Sequence, residues 1–124
     1  MVVKALKSKI HRATVTDADI NYVGSISIDK NLMESSNLLP YEQVQVLNIT
    51  NGNRLDTYVI EGKRNSGEIC INGAAAHLVH PGDLIIVVSY CNINHSDLPC
   101  HKPAVVHVDK KNSIIDVASS VVAD

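Results

Sequence analysis

The chain has 124 residues, 45% of them hydrophobic and 19% charged, which suits one globular domain and excludes a disordered chain. Eleven Lys and Arg against 13 Asp and Glu leave a formal charge of −2 with no basic run, so nucleic acid and anionic membrane are not expected partners. No apolar stretch approaches the ~20 residues of a membrane span, the start Met1 to Lys7 lacks a signal-peptide pattern, and three Cys suit a reducing, cytoplasmic setting better than a disulfide framework.

With four Tyr and neither Phe nor Trp, the core must be aliphatic. Sixteen Val and 13 Ile against 9 Leu favour strands, because β-branched side chains suit a pleated surface. Val2 to Thr16 reads as one long or two short strands. Gly24 to Asp29 alternates with period two, like a half-buried strand. Asp29 is placed to cap a short helix over Lys30 to Asn37, with Pro40 beyond its end. Gln43 to Ile49 is a strand, Asn51-Gly52 a hairpin turn, and Arg54 to Ile60 the returning strand. Glu68 to Ile71 is a further strand, and Gly73 to Leu78 a small-residue helix or turn. His80 to Asp83 is a turn, and Leu84 to Tyr90 is the most apolar strand. Ala104 to Val108 reads as the last strand. About seven short strands and two helical turns suggest a closed β-barrel.

Four features have chemical potential, each with an ordinary structural alternative. Gly24-Ser25 is either a plain turn or a self-cleavage site, in which the serine hydroxyl attacks the preceding carbonyl from a strained backbone. On the strand from Arg54, residues 54, 56 and 58 share a face, so Arg54 can grip a carboxylate where Tyr58 donates a proton. Thr57 then points the other way unless a bulge intervenes. The alternative is a plain solvent face. Asn72-Gly73-Ala-Ala-Ala76 either lets a ligand approach the backbone or is a tight turn packed on the barrel. Cys91, His95, Cys100, His101 and His107 include metal-binding residue types, but their spacing matches no standard zinc module and no metal is expected.

Together, His11-Arg-Ala-Thr-Val-Thr-Asp-Ala-Asp19, Asn21-Tyr-Val-Gly-Ser25, Thr50-Asn-Gly-Asn-Arg54, Thr57-Tyr58 and Ile71-Asn-Gly-Ala-Ala-Ala76 resemble the bacterial aspartate 1-decarboxylase family. The resemblance covers roughly the first nine tenths of the chain and is looser after Tyr90. It implies a mainly β fold, a six-stranded double-psi β-barrel with short helices, assembled as a homotetramer with sites between subunits. It implies a lyase that makes β-alanine and CO2 from L-aspartate for pantothenate and coenzyme A.

The resemblance further implies a zymogen whose single domain, residues 1–124, cuts itself between Gly24 and Ser25. The products are a β chain of residues 1–24 and an α chain of residues 25–124. Ser25 becomes a pyruvoyl group, which forms a Schiff base with the substrate in place of pyridoxal phosphate. Thr57 is implied as the oxyanion donor of processing, and Tyr58 as the proton donor of catalysis. Lys9, Arg54, Thr57 and the backbone of Gly73, Ala74 and Ala75 are implied to bind substrate, with Tyr22 and Asn72 flanking the processing site. A maturation factor assists some members. The competing class is a non-catalytic β-barrel, either a regulator or a metal-binding module using the late Cys and His residues.

Overall fold

The β-branched excess becomes a mixed nine-stranded sheet in the computed structural model, which describes residues 1–121. The strands are β1 (Val2–Thr14), β2 (Asp17–Asp19), β3 (Ile26–Asp29), β4 (Gln43–Asn48), β5 (Arg54–Gly62), β6 (Ile69–Asn72), β7 (Leu84–Asn94), β8 (Ala104–Val108) and β9 (Ile114–Ala118). One helix, α1 (Lys30–Ser35), and two 3-10 turns, Gly73–His77 and His95–Cys100, complete the secondary structure. The strand order is β2-β6-β3-β5-β4-β7-β1-β8-β9.

The long-strand reading of the N-terminal segment holds. β1 pairs antiparallel with β7 and parallel with β8, and two register shifts, at Leu6/Ser8 and Ile10/Ala13, bend it. Only two residues separate it from β2, which lies at the opposite edge of the sheet beside β6. Thr16 crosses that seam: its backbone N–H donates to the Ile69 carbonyl at 2.8 Å, and its hydroxyl accepts from the Ile69 N–H at 3.0 Å. The sheet therefore curls back on itself around one interior. That interior is aliphatic, as the composition requires: Ile10, Ile26, Ile28, Val46, Val59, Ile69, Ile71, Ile85, Val87 and Val106 are fully or almost fully buried.

Local signals produce the expected connections. Asp29 caps α1, its Oδ1 accepting from Asn31 N at 2.8 Å. The same carboxylate accepts from Gly67 N at 2.8 Å, tying the helix start to the β5–β6 turn. The helix ends earlier than the expected Asn37, which takes the left-handed conformation at φ 56° and closes the last turn. Gly52 makes the β4–β5 turn at φ 81°. Asp83 Oδ2 accepts from His80 N at 2.9 Å and from Asn48 Nδ2 at 2.8 Å, which fixes the turn before β7.

Nine strands replace the expected seven. β2 has three residues, two of them acidic, too short and polar for a periodic signal. β9 is almost wholly exposed and lacks the alternation that burial imposes. β7 runs past Tyr90 to Asn94 because it pairs with the start of β1 as far as Val2. Among the described residues, no helix is long and apolar enough to cross a membrane.

Candidate active site

Period two builds the site. In β3 and β6, Ile26, Ile28, Ile69 and Ile71 face the interior, so Ser25, Ser27, Cys70 and Asn72 fall on the opposite face. That face is covered too: Ser25 is 1% exposed and Asn72 3% exposed. Buried polar groups need partners. Here the Asn72 side-chain Nδ2 donates to Ser25 Oγ at 3.2 Å and to Ser27 Oγ at 3.1 Å. The Cys70 thiol donates to Asn72 Oδ1 at 3.2 Å, and Asn72 N–H donates to the Ser25 carbonyl at 2.9 Å. Burial, followed by the charges of Asp17, Glu68 and Asp19, pushes the Cys70 thiol up to about 11, so it stays protonated at neutral pH.

The backbone entering β3 is strained. Ser25 has φ 91°, a conformation that L side chains rarely adopt, directly after Gly24 at φ 46°. Gly73 makes room for this kink. A Cβ there would stand 2.6 Å from Gly24 N and 2.7 Å from Gly24 Cα, and Gly73 itself has φ 69°. Gly24 N–H donates to the Tyr22 carbonyl at 3.0 Å, a tight turn that leaves Tyr22 and Val23 exposed.

Tyr58 closes the cluster. β5 lies parallel to β3 with Val59 opposite Ile26, which sets Tyr58 beside the Gly24–Ser25 segment. Its hydroxyl donates to the Val23 carbonyl at 3.4 Å, and its side chain is partly exposed. Arg54 is on the same face of β5, four residues away, where its guanidinium reaches Gln45 Oε1 at 3.5 Å. A cleft of about 400 Å³ lies beside this face, with Gln43, Gln45, Asp56 and Tyr90 in its walls.

The structure thus gathers Tyr22, Gly24, Ser25, Tyr58, Asn72 and Gly73 from the predicted set. Ala74 and Ala75 follow in the 3-10 turn, Ala74 exposed and Ala75 half-buried. Thr57 sits across from Val44 in a β4–β5 ladder without a bulge, on the inner face with Leu55 and Val59. Lys9 is on β1, with β5, β4 and β7 between it and Ser25. Neither Lys9 nor Arg54 has a carboxylate within ion-pair distance among the described residues. Sequence reasoning missed Ser27 and Cys70, though each is two residues from a residue it named, and period two was the signal that could have found them.

The late Cys and His residues are spread along β7, the following turn and β8. His101 Nε2 bonds the Leu6 carbonyl, and His107 lies 3.8 Å from Asp116 and 5.8 Å, ring to ring, from His11. Among the described residues, no three His, Cys, Asp or Glu side chains converge as a metal site would require.

A family model described as aspartate decarboxylase matches residues 1–115. A Clostridium botulinum protein named aspartate 1-decarboxylase is 57% identical over 114 residues, covering 92% of this chain and 90% of its own. A Dehalococcoides mccartyi protein of the same name is 59% identical over 116 residues, 94% of both chains. One from Acetivibrio thermocellus is 56% identical over 119 residues, covering 96% and 94%. The family model's stretch contains the whole Ser25–Asn72–Tyr58 cluster, Lys9, Arg54 and strands β1 to β8, and on these grounds the chain belongs to the aspartate decarboxylase family.

Proposed function

We propose that this chain cleaves its own Gly24–Ser25 bond, converts residue 25 into a pyruvoyl group, and decarboxylates L-aspartate to β-alanine and CO2. The observation that carries this reading is Ser25: a buried serine at φ 91°, held by an Asn amide, directly after a glycine packed against Gly73. Among the described residues, five other non-glycine residues have positive φ, between 56° and 73°, and Ser25 lies furthest from the ordinary range.

Processing begins when Ser25 Oγ bonds to the Gly24 carbonyl carbon and the residue-25 nitrogen leaves, so the amide becomes an ester. Loss of the residue-25 Cα proton then breaks its Cβ–Oγ bond. The electron pair goes to Oγ, which stays with Gly24 as a carboxylate oxygen. Water replaces the residue-25 nitrogen, which departs as ammonia and leaves a ketone. Asn72 Nδ2 faces Ser25 Oγ, which gains negative charge when the Cβ–Oγ bond breaks. A role for Thr57 as oxyanion donor requires the Gly24 carbonyl to turn toward the barrel interior, where Thr57 points.

In the mature protein the pyruvoyl group supplies an electron sink for the carbanion left by CO2. The chain's own side chains do the rest. Tyr58, beside Gly24, donates the proton to that carbon. Arg54 and Lys9 bind the two substrate carboxylates, and the Gly73–Ala75 backbone leaves space for them. In the homotetramer that the family resemblance implies, Lys9 reaches the site from a neighbouring copy.

Intact-mass measurement tests the reading. The wild-type chain should split into a 24-residue and a 100-residue piece, since 124 less 24 is 100, with a ketone-reactive end on the larger. Ser25→Ala should stay whole and inactive. A cleaved Ser25→Ala protein overturns the assignment.

A further inference from the structure

We propose that Cys70 is a positioning residue for self-processing: its S–H locks the Asn72 amide in the one orientation that aims an N–H at Ser25 Oγ. This rests on the self-processing reading. An Asn side chain has a donor end and an acceptor end of nearly the same shape. Three side chains meet this one, those of Ser25, Ser27 and Cys70. The two hydroxyls accept or donate equally well, so by themselves they leave the amide free to turn over. A thiol does not have that balance. Its S–H is a weak donor and its sulfur a weak acceptor, so the better of its two bonds is the one its proton makes to a strong acceptor such as an amide oxygen. With Oδ1 toward Cys70, the S–H···O bond forms at 3.2 Å and both N–H bonds point at the serines. Turned over, the amide would lose the thiol bond and draw the serine protons onto Oδ1.

The difference matters at one atom. Ser25 Oγ is the nucleophile, and later the oxygen that leaves residue 25 as part of the Gly24 carboxylate. In the observed orientation it accepts from Asn72, so its own proton is free to pass to a base or to the departing nitrogen. In the reverse orientation that proton is tied to Oδ1 and no donor faces the leaving oxygen. The thiol keeps its proton at neutral pH because Cys70 is buried near Asp17, Asp19 and Glu68. A thiolate would instead attract the amide N–H and reverse the lock.

The test uses full-length precursor of the wild type, Cys70→Ala and Cys70→Ser, with cleavage followed on denaturing gels. Cys70→Ala should slow cleavage about 3- to 10-fold, the worth of one neutral hydrogen bond, and Cys70→Ser, whose hydroxyl accepts as well as donates and so leaves the amide free to turn over, should also cleave more slowly than wild type. A second measurement needs no cleavage and no alanine at 70. In Ser25→Ala precursor, the infrared S–H stretch of Cys70 should lie below that of a solvent-exposed thiol and rise when Asn72 is also changed to Ala. Wild type that cleaves while Cys70→Ala matches its rate overturns the positioning role alone, as does an S–H band indifferent to Asn72. A wild-type chain that stays whole overturns the self-processing reading and the positioning role with it.

Discussion

The Tyr58 hydroxyl lies against the bond that the reading says is cut: a Cβ on Gly24 would stand 3.2 Å from Tyr58 Oη, and that oxygen donates to the Val23 carbonyl at 3.4 Å. One side chain therefore touches the segment proposed to be processed and is also the proposed proton donor of the later reaction. The 3.4 Å bond is long and the ring is partly exposed, so it adds little to the precursor's geometry. Tyr58→Phe is expected to cleave and to bind aspartate, since the ring is kept. Its turnover should fall about 10²- to 10⁴-fold, the usual contribution of one general acid. β-Alanine production by fully processed protein checks this, and normal turnover would mean that water or another group delivers the proton.

Gly73→Ala should damage folding and processing together. The new Cβ meets Gly24 N at 2.6 Å, and φ 69° is unfavourable for any residue with a Cβ. Strain of this kind costs about 1–3 kcal/mol. Chemical denaturation should show that loss, and gels should show slower cleavage. Gly52→Ala is the control: it also has a positive φ, but nothing stands within 4 Å of its Cβ, so it should lose stability without slowing cleavage.

Mixing inactive Ser25→Ala subunits with inactive Lys9→Ala subunits should restore part of the activity. Lys9 is on β1, which does not pair with the β3 strand that follows Ser25, and the proposed assembly brings it to the site from another copy. A mixed assembly would pair an intact Lys9 with an intact residue 25 from another copy. Mixed tetramers, verified by mass, that regain no turnover would place the whole site within one chain.

His11 should make stability depend on pH. Desolvation comes first, then the charges of Lys9, His107 and Arg12, and together they hold its imidazole below the ordinary 6.5. Its Nδ1 is buried without a partner among the described residues. The unfolded chain then binds the proton more readily than the folded one. Stability from this group is present above pH 6.5 and declines as pH falls from there toward the lower folded value. Thermal melts of wild type and His11→Gln across that range should show a smaller acid loss in the variant. Parallel curves would assign the loss to other groups.

What the sequence determined by itself is what depends on near neighbours in the chain. Period two in Arg54–Ile60, the Asn51-Gly52 turn and the Asp29 cap are local, and each is present in the structure. So is the opposition of Thr57 to Arg54 and Tyr58, because alternation along an unbulged strand needs no partner. The half-buried strand expected over Gly24–Asp29, by contrast, forms only from Ile26 and is buried on both faces, because other parts of the chain cover its polar side. The family resemblance rested on short segments whose order and spacing carried the information. Tertiary structure alone decided which segments meet. Apart from the family resemblance, which set Asn72 beside the processing site, nothing in Cys70-Ile-Asn72 or Gly24-Ser25 reveals that they are neighbours. That follows from β6 pairing with β3, 45 residues away between Asn72 and Ser27, once both strands bury their isoleucines in the same core. The strain at Ser25 is likewise invisible in sequence, since a serine adopts φ 91° only when fixed contacts on both sides hold it there. β2 and β9 escaped notice for the opposite reason: they become strands through the edges they pair with, and their own residues carry no periodic signal.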